Sequence, residues 1–485
     1  MNLTIDVGTT NTKISIWNDP SSVAPSNQVK FKTPKSIHDG LIDFDADQLV
    51  AQIKKIISNF PLEVLAQVKQ IAIASVGESG VLIDQHGQTV SPMIAWYDCR
   101  SQEIIDHLTP NEKNEIYEIT GLPAHVHYSV SKIKWLLANE SGLDDKQNYT
   151  WLCIPDYLAY QLTGVMNSEY SIASRTMVYD LKNHCWSERI KEIFQITNIS
   201  FPALITAGDK IGFVKKEIAK ELNLNDQVKV TIAGHDHMVG SIASGQKQDE
   251  LLDSTGTTEG ILVLLDQFKT SKNDEEHGIA YGIYPDPQYY TAFTALPAVG
   301  SVIQWFDELY KLSEEEFMDL SNEIDQDYRN DRLTPGSFNF VIPHFNGSGS
   351  PTKSVITKGL WYGLTDQTTI KELIFGLFLG LTFELKYALE CLPTKQVKRI
   401  KLIGPATKDP IWIQLRADLL NLPIQVMQTP ESVSRGANLI GSKVEPLVSN
   451  ELILPQEHLL LVEKLRSIYE HQYKKLYRAK VEMEL

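Results

Sequence analysis

The sequence predicts an α/β protein made of two related halves. Two short segments, residues 5–13 and 252–259, each contain an aspartate, a short gap and then Gly-Thr-Thr, and apolar residues typical of strands flank both of them. A single segment of this kind is typical of an ordinary hairpin. Two copies about 250 residues apart in a chain of 485 residues indicate a duplicated domain whose copies meet at one site.

Both segments have the composition of a phosphate-binding loop. Glycine allows a tight turn that brings the backbone close to an oxyanion, and the threonine hydroxyls and amides can donate hydrogen bonds to it. Asp6 lies one short turn from the first loop, where a magnesium ion bound to phosphate would need a carboxylate. Because the chain contains no G-x-x-x-x-G-K-[ST] segment, the pattern differs from the P-loop.

The composition limits the classes of partner. The chain has 61 acidic and 45 basic side chains, and this net charge of −16 argues against a nucleic-acid partner. Its four cysteines form no C-x-x-C pair, as expected for reduced thiols. The N-terminus enters a strand at once, without signal-peptide features, and no apolar run is long enough to span a membrane. We therefore expect a soluble, cytoplasmic protein without a membrane partner.

Strand and helix signals alternate along the first half. Strands are predicted at 3–7, 12–17, 70–76, 81–84 and 228–233, and helices at 131–139 and 157–162. The strand 228–233 ends in a glycine-initiated turn, Gly234-His235-Asp236-His237. Small residues follow that turn and suit a closely packed helix.

Long amphipathic helices dominate the second half, where they are predicted at 301–310, 370–391 and 410–420. A strand at 401–403 leads into Gly404. The last predicted helix, 455–479, begins with a proline suited to the first helical position, and its alternating charged and aromatic turns predict a surface location. We place the domain boundary near 245–252, which gives two domains, 1–247 and 248–485.

The order of six segments resembles that of the FGGY carbohydrate kinases, within the actin-like ATPase superfamily. The six segments are the opening Asp-x-Gly-Thr-Thr and residues 75–100, 154–158, 234–237, 254–259 and 404–418. The resemblance covers nearly the whole chain, and Trp361 to Thr365 resembles the core of the name-giving signature. It implies two ribonuclease-H-like domains hinged over a catalytic cleft, with the sugar mostly on the N-terminal half and ATP mostly on the C-terminal half.

The resemblance implies that Asp236 is the catalytic base, which accepts the proton of the attacking hydroxyl and orients that hydroxyl for in-line transfer. From the residues alone, a helix N-cap aspartate is an equally good interpretation. His237 resembles the family position that hydrogen-bonds the sugar. Glu78 and Ser79 match substrate contacts, since a carboxylate can accept two hydrogen bonds from a vicinal diol, and a solvated turn is the alternative.

Further pocket residues are implied just before the helix 131–139. Either His127 or Tyr128 matches a substrate-binding position there. Asp98 and Arg100 are expected to form an internal ion pair that supports this wall of the pocket.

The resemblance implies two groups of residues for the cofactors ATP and Mg²⁺. In the first half, phosphate ligands are expected at Thr9, Thr10, Asn11 and Lys13, and Asp6 is expected to reach magnesium through water. In the second half, the expected nucleotide contacts are Gly256, Thr257, Gly300, Gln304, Gly404 and Asp409. For Gln304, an ordinary position on a helix surface is an equal alternative.

The chain departs from its relatives at two places. Relatives have two or three successive glycines where this chain has Gly404-Pro405-Ala406, and proline offers no amide donor to the nucleotide. Residues 346–351 form a polar and flexible loop where relatives often carry a Glu-Arg pair. The first departure bears on nucleotide affinity, and the second on closure or oligomer contacts.

The leading hypothesis is an ATP-dependent kinase that phosphorylates a primary hydroxyl of a small sugar. A ketose such as L-fuculose, xylulose or ribulose ranks first, and gluconate or a polyol ranks second; Gly77, which stands where glycerol kinases have an arginine, disfavours glycerol. A catalytically weak sensor of sugar or nucleotide is a hypothesis of another class, favoured only by Pro405. An actin-like ATPase acting on protein is a third, but it would not need Asp236 in a polar pocket. The family commonly forms dimers, which leaves a homodimer open.

Overall fold

Two mixed β-sheets form the centre of the protein. The computed structural model describes residues 1–144, 146–333, 338–354, 356–393, 397–427, 431–440, 442, 444–446, 451–456 and 460–483. The first sheet has six strands in the order Lys210–Phe213, Lys229–His235, Gln70–Ser75, Asn2–Val7, Asn11–Trp17 and Asn27–Lys32. The second has seven strands in the order Ala280–Ile283, Tyr290–Leu296, Glu259–Leu265, Glu250–Thr255, Arg399–Ile403, Ile424–Val426 and Leu452–Ile453.

Both sheets repeat one arrangement of strands. In the first sheet, Asn2–Val7 is antiparallel to the next strand along the chain and parallel to Gln70–Ser75. In the second sheet, Glu250–Thr255 is antiparallel to the next strand and parallel to Arg399–Ile403. This repeated topology confirms the predicted α/β class with two related units.

Shorter strands and the helices surround these sheets. The small sheets contain Lys35–His38, Leu41–Phe44 and Met93–Ile94; Ile199–Ser200, Tyr149–Cys153 and Gly80–Ile83; Asn167–Glu169 and Ala203–Ile205; Tyr179–Asp180 and Cys185–Trp186; and Phe340–Ile342 and Leu360–Tyr362. The α-helices of the first half are Ala46–Ser58, Leu62–Leu65, Gln102–Asp106, Pro110–Thr120, Ser129–Asn139, Ile154–Thr163, Tyr170–Ala173, Glu188–Ile193, Lys216–Glu221 and Asp236–Ser244. Those of the second half are Lys272–Glu276, Gly300–Tyr310, Glu314–Arg329, Ile370–Glu390, Pro410–Leu420, Ser432–Leu439, Leu460–Ile468 and Lys474–Glu482. In the described ranges, each helix is too short or too polar to cross a membrane.

Local sequence signals set several helix ends. The helix Ile370–Glu390 begins at a capping box, in which the Thr369 hydroxyl accepts from the Glu372 amide and the Glu372 carboxylate accepts from Thr369. The helix Ile154–Thr163 ends at Gly164, which adopts the left-handed conformation common at this position. Both ends lie within a few residues of those predicted.

The C-terminal helix differs from its prediction in its start. Its described part begins at Leu460 rather than at residue 455, and residues 457–459 lie outside the described residues. Tyr469, Tyr473 and Tyr477 are at most 1% exposed. Because residues four apart share one face of a helix, these tyrosines form a buried stripe, while Glu470 and Lys475 on the other faces are exposed. The helix therefore lies on the surface as predicted, with one aromatic face covered.

A buried polar network joins this helix to the loop that follows Ile342. His344 Nε2 lies 3.1 Å from Glu384 Oε1, and Lys480 Nζ lies 3.1 Å from His344 Nδ1. Tyr473 donates its hydroxyl proton to the same glutamate. Since a lysine can only donate, His344 accepts at Nδ1 and carries its proton on Nε2.

The helix Ser432–Leu439 comes from the second half of the chain but packs on the first sheet. A Cβ atom at Gly436 would overlap the Val239 carbonyl of the helix Asp236–Ser244. The backbones of the two helices therefore pack so closely that this position requires a glycine. Ala437 and Ile440 join a small apolar cluster with alanines of the first sheet. The predicted domain boundary at residue 247 therefore stays a prediction. One helix from beyond that boundary packs into the core of the first half.

A second set of contacts between the two halves lies at the edge strand Ala280–Ile283 of the second sheet. The Tyr281 amide donates to the Gly121 carbonyl at 2.8 Å, and the Tyr117 hydroxyl donates to the Ile279 carbonyl at 3.0 Å. These contacts attach the helix Pro110–Thr120 to the edge of the second sheet.

Candidate active site

Asp236 lies where a strand of the first sheet meets a helix. The strand Lys229–His235 has a bulge between Ile232 and Gly234, and the helix Asp236–Ser244 follows without the predicted turn. Asp236 is therefore the first helical residue rather than the cap, and its carboxylate accepts the His237 amide at 2.7 Å. Its side chain is 21% exposed, so the carboxylate remains accessible. Bulges often redirect side chains at sites of this kind.

Ser171 fixes the backbone just ahead of Asp236. The Ser171 hydroxyl accepts the His235 amide at 2.9 Å and donates to the buried Glu169 carboxylate at 2.5 Å. A Cβ atom at Gly234, whose φ is 124°, would lie 3.1 Å from that carboxylate. These contacts set the direction in which the strand presents Asp236.

The histidines on either side of Asp236 join it to the second half. The rings of His235 and His237 stack with their centres 5.7 Å apart, and burial lowers the pKa of His235 to about 4. The His237 ring also packs against Phe293 of the second sheet at 5.1 Å. A Cβ atom at Gly260 would lie 3.2 Å from this ring. The second half therefore meets the first directly beside Asp236.

Glu78 is held by an arginine that no sequence motif indicated. Glu78 is buried in the left-handed conformation, with φ 68°, and its Oε1 accepts from Arg175 Nε at 2.8 Å. The guanidinium lies over the Tyr128 ring at 5.2 Å, which places this tyrosine behind Arg175. Ser79 is 0% exposed. The sugar contacts of Tyr128 and Ser79 stay predictions, as do those of Glu78, and Arg175 joins them as a candidate.

His127 lies in an aromatic wall that reaches the first Gly-Thr-Thr loop. Its ring packs against His125 at 4.2 Å and against Trp96 at 5.1 Å. Trp96 donates its indole proton to Thr9 Oγ1 at 2.9 Å. The predicted ion pair behind the wall is confirmed, with Arg100 Nε 2.9 Å from Asp98 Oδ1.

Both wall histidines are neutral at pH 7. Burial, together with the charges of Lys132 and Lys353, lowers the pKa of His125 to about 4 and that of His127 to about 3. The His127 amide donates to His125 Nδ1 at 3.3 Å. Because that nitrogen accepts, the His125 proton resides on Nε2, where it can be donated to a ligand.

The first Gly-Thr-Thr segment is a tight hairpin turn. The Gly8 amide donates to the Asn11 carbonyl at 3.0 Å, and Thr33 Oγ1 donates to the Gly8 carbonyl at 2.7 Å. Thr10 is exposed at the tip. Since Gly8 does not have a positive φ, the turn does not depend on its conformational freedom.

Asp6 is a buried carboxylate without a hydrogen-bond or ion-pair partner in the described part of the chain, and it is 7% exposed. Burial raises the pKa of Asp6 to about 7; the Lys13 charge opposes this rise, and the Asp236 and Glu431 charges add to it. Lys13 faces Asp6 across the hairpin and pairs with Glu431 of the second half at 2.6 Å. To bind phosphate as predicted, Lys13 must exchange this partner.

The second Gly-Thr-Thr loop contacts the start of the helix Gly300–Tyr310. The Gly300 amide donates to the Gly256 carbonyl at 3.1 Å, and the Ser301 amide donates to the Thr257 carbonyl at 3.3 Å. A Cβ atom at Gly300 would overlap the Gly256 carbonyl, whereas one at Gly256 would make an ordinary contact. Glycine is therefore required at Gly300 for close approach, and Thr257 is left exposed.

A fully buried charge cluster lies beneath this loop. Arg416 contacts Asp253 and lies 2.6 Å from Glu259 Oε1, and the three side chains are 0% exposed. The guanidinium also lies over the Trp412 ring at 4.3 Å. Burial raises the pKa of Glu259 well above its ordinary value. The two halves thus differ, because Asp253 is paired with an arginine whereas Asp6 has no ion-pair partner among the described residues.

At Gly404 the segment that follows the strand Arg399–Ile403 packs closely against the second Gly-Thr-Thr loop. It has φ 94°, and a Cβ atom there would overlap the Thr255 carbonyl. The Thr255 hydroxyl donates to the Ile403 carbonyl at 3.0 Å and accepts the Ala406 amide at 3.1 Å. Pro405 begins a 3₁₀ turn, a position whose amide is not needed within the turn.

Two predicted nucleotide contacts have other partners. Asp409 is a buried N-cap that accepts from Ser321 Oγ at 2.6 Å, and its inward orientation argues against the predicted nucleotide contact. Gln304 is exposed and donates to Glu308 of the same helix at 2.9 Å. Its contact with nucleotide stays a prediction.

Comparison with known proteins identifies the relatives of the chain. The model of the FGGY family of carbohydrate kinases, N-terminal domain, matches residues 1–243, and that of the C-terminal domain matches residues 251–443. A xylulose kinase of Lactococcus lactis subsp. lactis is 25% identical over 91% of this chain and 87% of its own. An L-fuculokinase of Escherichia coli is 25% identical over 77% of each chain. The solved structure of a ligand-bound xylulose kinase from Lactobacillus acidophilus shares the fold, with a TM-score of 0.86 at 20% identity over 100% of both chains.

Proposed function

The chain belongs to the FGGY family of carbohydrate kinases, and on this premise we propose that it transfers the γ-phosphoryl group of ATP to a primary hydroxyl of a small ketose. The xylulose kinase and L-fuculokinase relatives favour a ketose of the xylulose, ribulose or L-fuculose type. The observation that carries the proposal is the position of Asp236, an accessible carboxylate directly after the strand Lys229–His235. That strand pairs with Gln70–Ser75, which precedes Glu78 and pairs in turn with the strand that enters the first Gly-Thr-Thr loop.

Asp236 has the features that a base for hydroxyl activation needs. It accepts the proton of the sugar hydroxyl and holds that hydroxyl in line with the phosphoryl group. Its backbone is fixed through Ser171 and Glu169, which limits how far the carboxylate can drift from the reacting oxygen. His237 meets the second half at Gly260, so closure of the cleft would exclude water at this point.

The described residues fit magnesium-ATP. Asp6 offers a carboxylate without a protein partner, and Mg²⁺ commonly takes one or two carboxylates together with phosphate oxygens and water. Thr10 and Thr257 expose one hydroxyl from each Gly-Thr-Thr loop. When bound, magnesium-ATP supplies the phosphoryl group and neutralises part of its charge. Asp6 would hold the metal, and the two loops and Lys13 would hold the phosphates.

The proposed partners are a small sugar and magnesium-ATP, and the proposed location is the cytoplasm. All four cysteines are free thiols, as expected in a reducing compartment. A homodimer stays a prediction that light scattering of the purified protein would test.

A coupled assay of ADP release tests the proposed function. Magnesium-ATP is offered with L-fuculose, D- and L-xylulose, D-ribulose, glycerol and gluconate in turn. We expect turnover that depends on one of the ketoses. Turnover with gluconate or glycerol alone would overturn the ketose assignment, and ADP release that no sugar stimulates would overturn the kinase proposal.

Replacing Gly404 by alanine should weaken ATP binding. The new methyl group would overlap the Thr255 carbonyl, and the positive-φ, extended conformation of Gly404 costs a non-glycine residue about 1–3 kcal/mol. The segment must therefore shift away from the second loop, and we expect the KM for ATP to rise at least fivefold, a threshold of roughly 1 kcal/mol. Gly40→Ala is the matched control, because Gly40 also has a positive φ but lies in an exposed turn where a Cβ atom would meet nothing within 4 Å. An unchanged KM in a correctly folded Gly404→Ala protein would place the nucleotide elsewhere.

A further inference from the structure

The segment around Lys353 is held firmly in place. It directly follows residues 346–351, where the sequence departs from its relatives. The Ser350 hydroxyl donates to the His277 carbonyl at 2.7 Å, the Lys353 amide donates to the Gly349 carbonyl at 2.7 Å, and Thr352 Oγ1 lies 2.9 Å from the Tyr477 hydroxyl. The flexible loop expected from the sequence is instead tethered on both sides of Lys353.

The Lys353 side chain packs directly against Gly278. A Cβ atom at Gly278 would overlap Lys353 Cδ and Cε and would lie 2.8 Å from Nζ. Gly278 has φ 65°, a conformation that glycine adopts without strain. The lysine stem therefore runs directly over a glycine, and the position of its ammonium is set by packing.

The Lys353 ammonium faces the first half of the chain without a partner. Among the described residues it makes no hydrogen bond or ion pair, and its side chain is exposed. Its charge lowers the pKa of His125 and His127, and the Arg175 charge in turn acts on Lys353. The hydrogen bonds from Tyr281 to Gly121 and from Tyr117 to Ile279 hold the Gly278 turn, over which the lysine stem runs, beside the stretch of the first half that leads to His125. The Lys353 ammonium is therefore contributed by the second half to the proposed sugar side of the cleft.

This arrangement holds more hydrogen-bond donors than acceptors. The Glu78 carboxylate is engaged by Arg175. His125 can donate from Nε2, and Lys353 has three donors and no acceptor. The hydroxyl and carbonyl oxygens of an open-chain ketose are acceptors of the kind that such donors bind.

We propose that Lys353 is a sugar-binding residue, contributed by the second half to the pocket of the first, which donates with His125 to oxygens of the ketose. This inference rests on the proposed function. It makes the sugar a bridge between the two halves, so that sugar binding itself favours closure of the cleft.

Lys353→Met tests the inference, with Lys358→Met as control, because Lys358 is an exposed lysine of the same segment. We expect Lys353→Met to raise the KM for the ketose about 10- to 100-fold, the range for loss of a hydrogen bond to a charged group. The KM for ATP should change less than about twofold, the limit we take for an uncoupled site. An unchanged ketose KM, or an effect on the ATP KM alone, would overturn the assignment.

Calorimetric titration of the ketoses separates failure of this inference from failure of the proposed function. If the wild-type protein binds a ketose but does not turn it over, the kinase proposal fails. In that case weaker ketose binding by Lys353→Met would still support the role of Lys353. Equal ketose binding by the wild type and Lys353→Met overturns the inference alone. If the wild type binds no ketose, both fail.

The pH dependence of ketose binding gives a second readout. Desolvation where the side chain packs against Gly278, together with the Arg175 charge, lowers the pKa of Lys353 to about 8. The charged donor is therefore present at pH 7 and lost as the pH rises to 9. His125 and His127 are neutral throughout this range, Arg175 stays charged, and Lys132 behind the wall is common to both proteins. The ketose KM should rise from pH 7 to 9 more steeply in the wild type than in Lys353→Met. Parallel profiles would count against the inference.

Discussion

Replacing Asp236 by asparagine is expected to lower kcat for the ketose by about 10²- to 10⁴-fold, the range for loss of a general base. The asparagine side chain can still accept the His237 amide through its oxygen, so the start of the helix Asp236–Ser244 should persist. What it loses is the ability to take the proton of the sugar hydroxyl. Steady-state kinetics with circular dichroism as a check of folding would measure this.

Asp209→Asn is the matched control, because Asp209 is an exposed aspartate of the same half. Its kcat should remain at the wild-type level. A near-wild-type rate for Asp236→Asn would remove Asp236 from the role of base. A rise in KM without a change in kcat would indicate that Asp236 only binds the sugar.

Replacing Arg416 by methionine is expected to lower the free energy of unfolding by about 3–5 kcal/mol, the range for removal of one partner from a buried ion pair. Asp253 and Glu259 would be left in the core without a cation, directly beneath the second Gly-Thr-Thr loop. Denaturant unfolding followed by fluorescence would measure the loss. Arg399→Met, which removes a partly exposed arginine 3.7 Å from Glu250, should change the unfolding free energy by less than about 1 kcal/mol.

The loss in Arg416→Met should depend on pH with a defined sign. Burial raises the pKa of Glu259 above that of the unfolded chain, and without the arginine this effect is no longer opposed. The penalty is therefore complete at pH values above the folded pKa and disappears as the pH falls through it, because the carboxyls become neutral. The difference from wild type should shrink on acidification. A constant or growing difference would show that lost packing on Trp412, rather than charge, explains the effect.

The features that could be predicted from the sequence depend on short-range patterns. The two Gly-Thr-Thr segments and their flanking strands have local signatures, and the structure places both where expected. Asp236 also follows its predicted strand, although the strand continues into the helix without a turn. Such patterns are set by backbone geometry, which the neighbouring residues determine.

The features that could not be predicted depend on contacts between distant segments. Arg175 reaches Glu78 from 97 residues away, and Glu431 reaches Lys13 from the other half of the chain. Nothing local distinguishes these residues from ordinary surface charges. The C-terminal tyrosines gave a local signal, spacing by four residues, but only the fold shows that this face is covered.

The position of helix Ser432–Leu439 also has a consequence for how the chain folds as it is synthesised. The first sheet receives this helix from a stretch made long after its own strands, so we expect the N-terminal half to leave the ribosome with one apolar surface uncovered. That surface includes Ala72, Ala74 and Ala233 and stays open until residue 440 has emerged. The two halves are thus not independent folding units. A fragment cut at residue 247 would be prone to aggregation even though its sheet is complete.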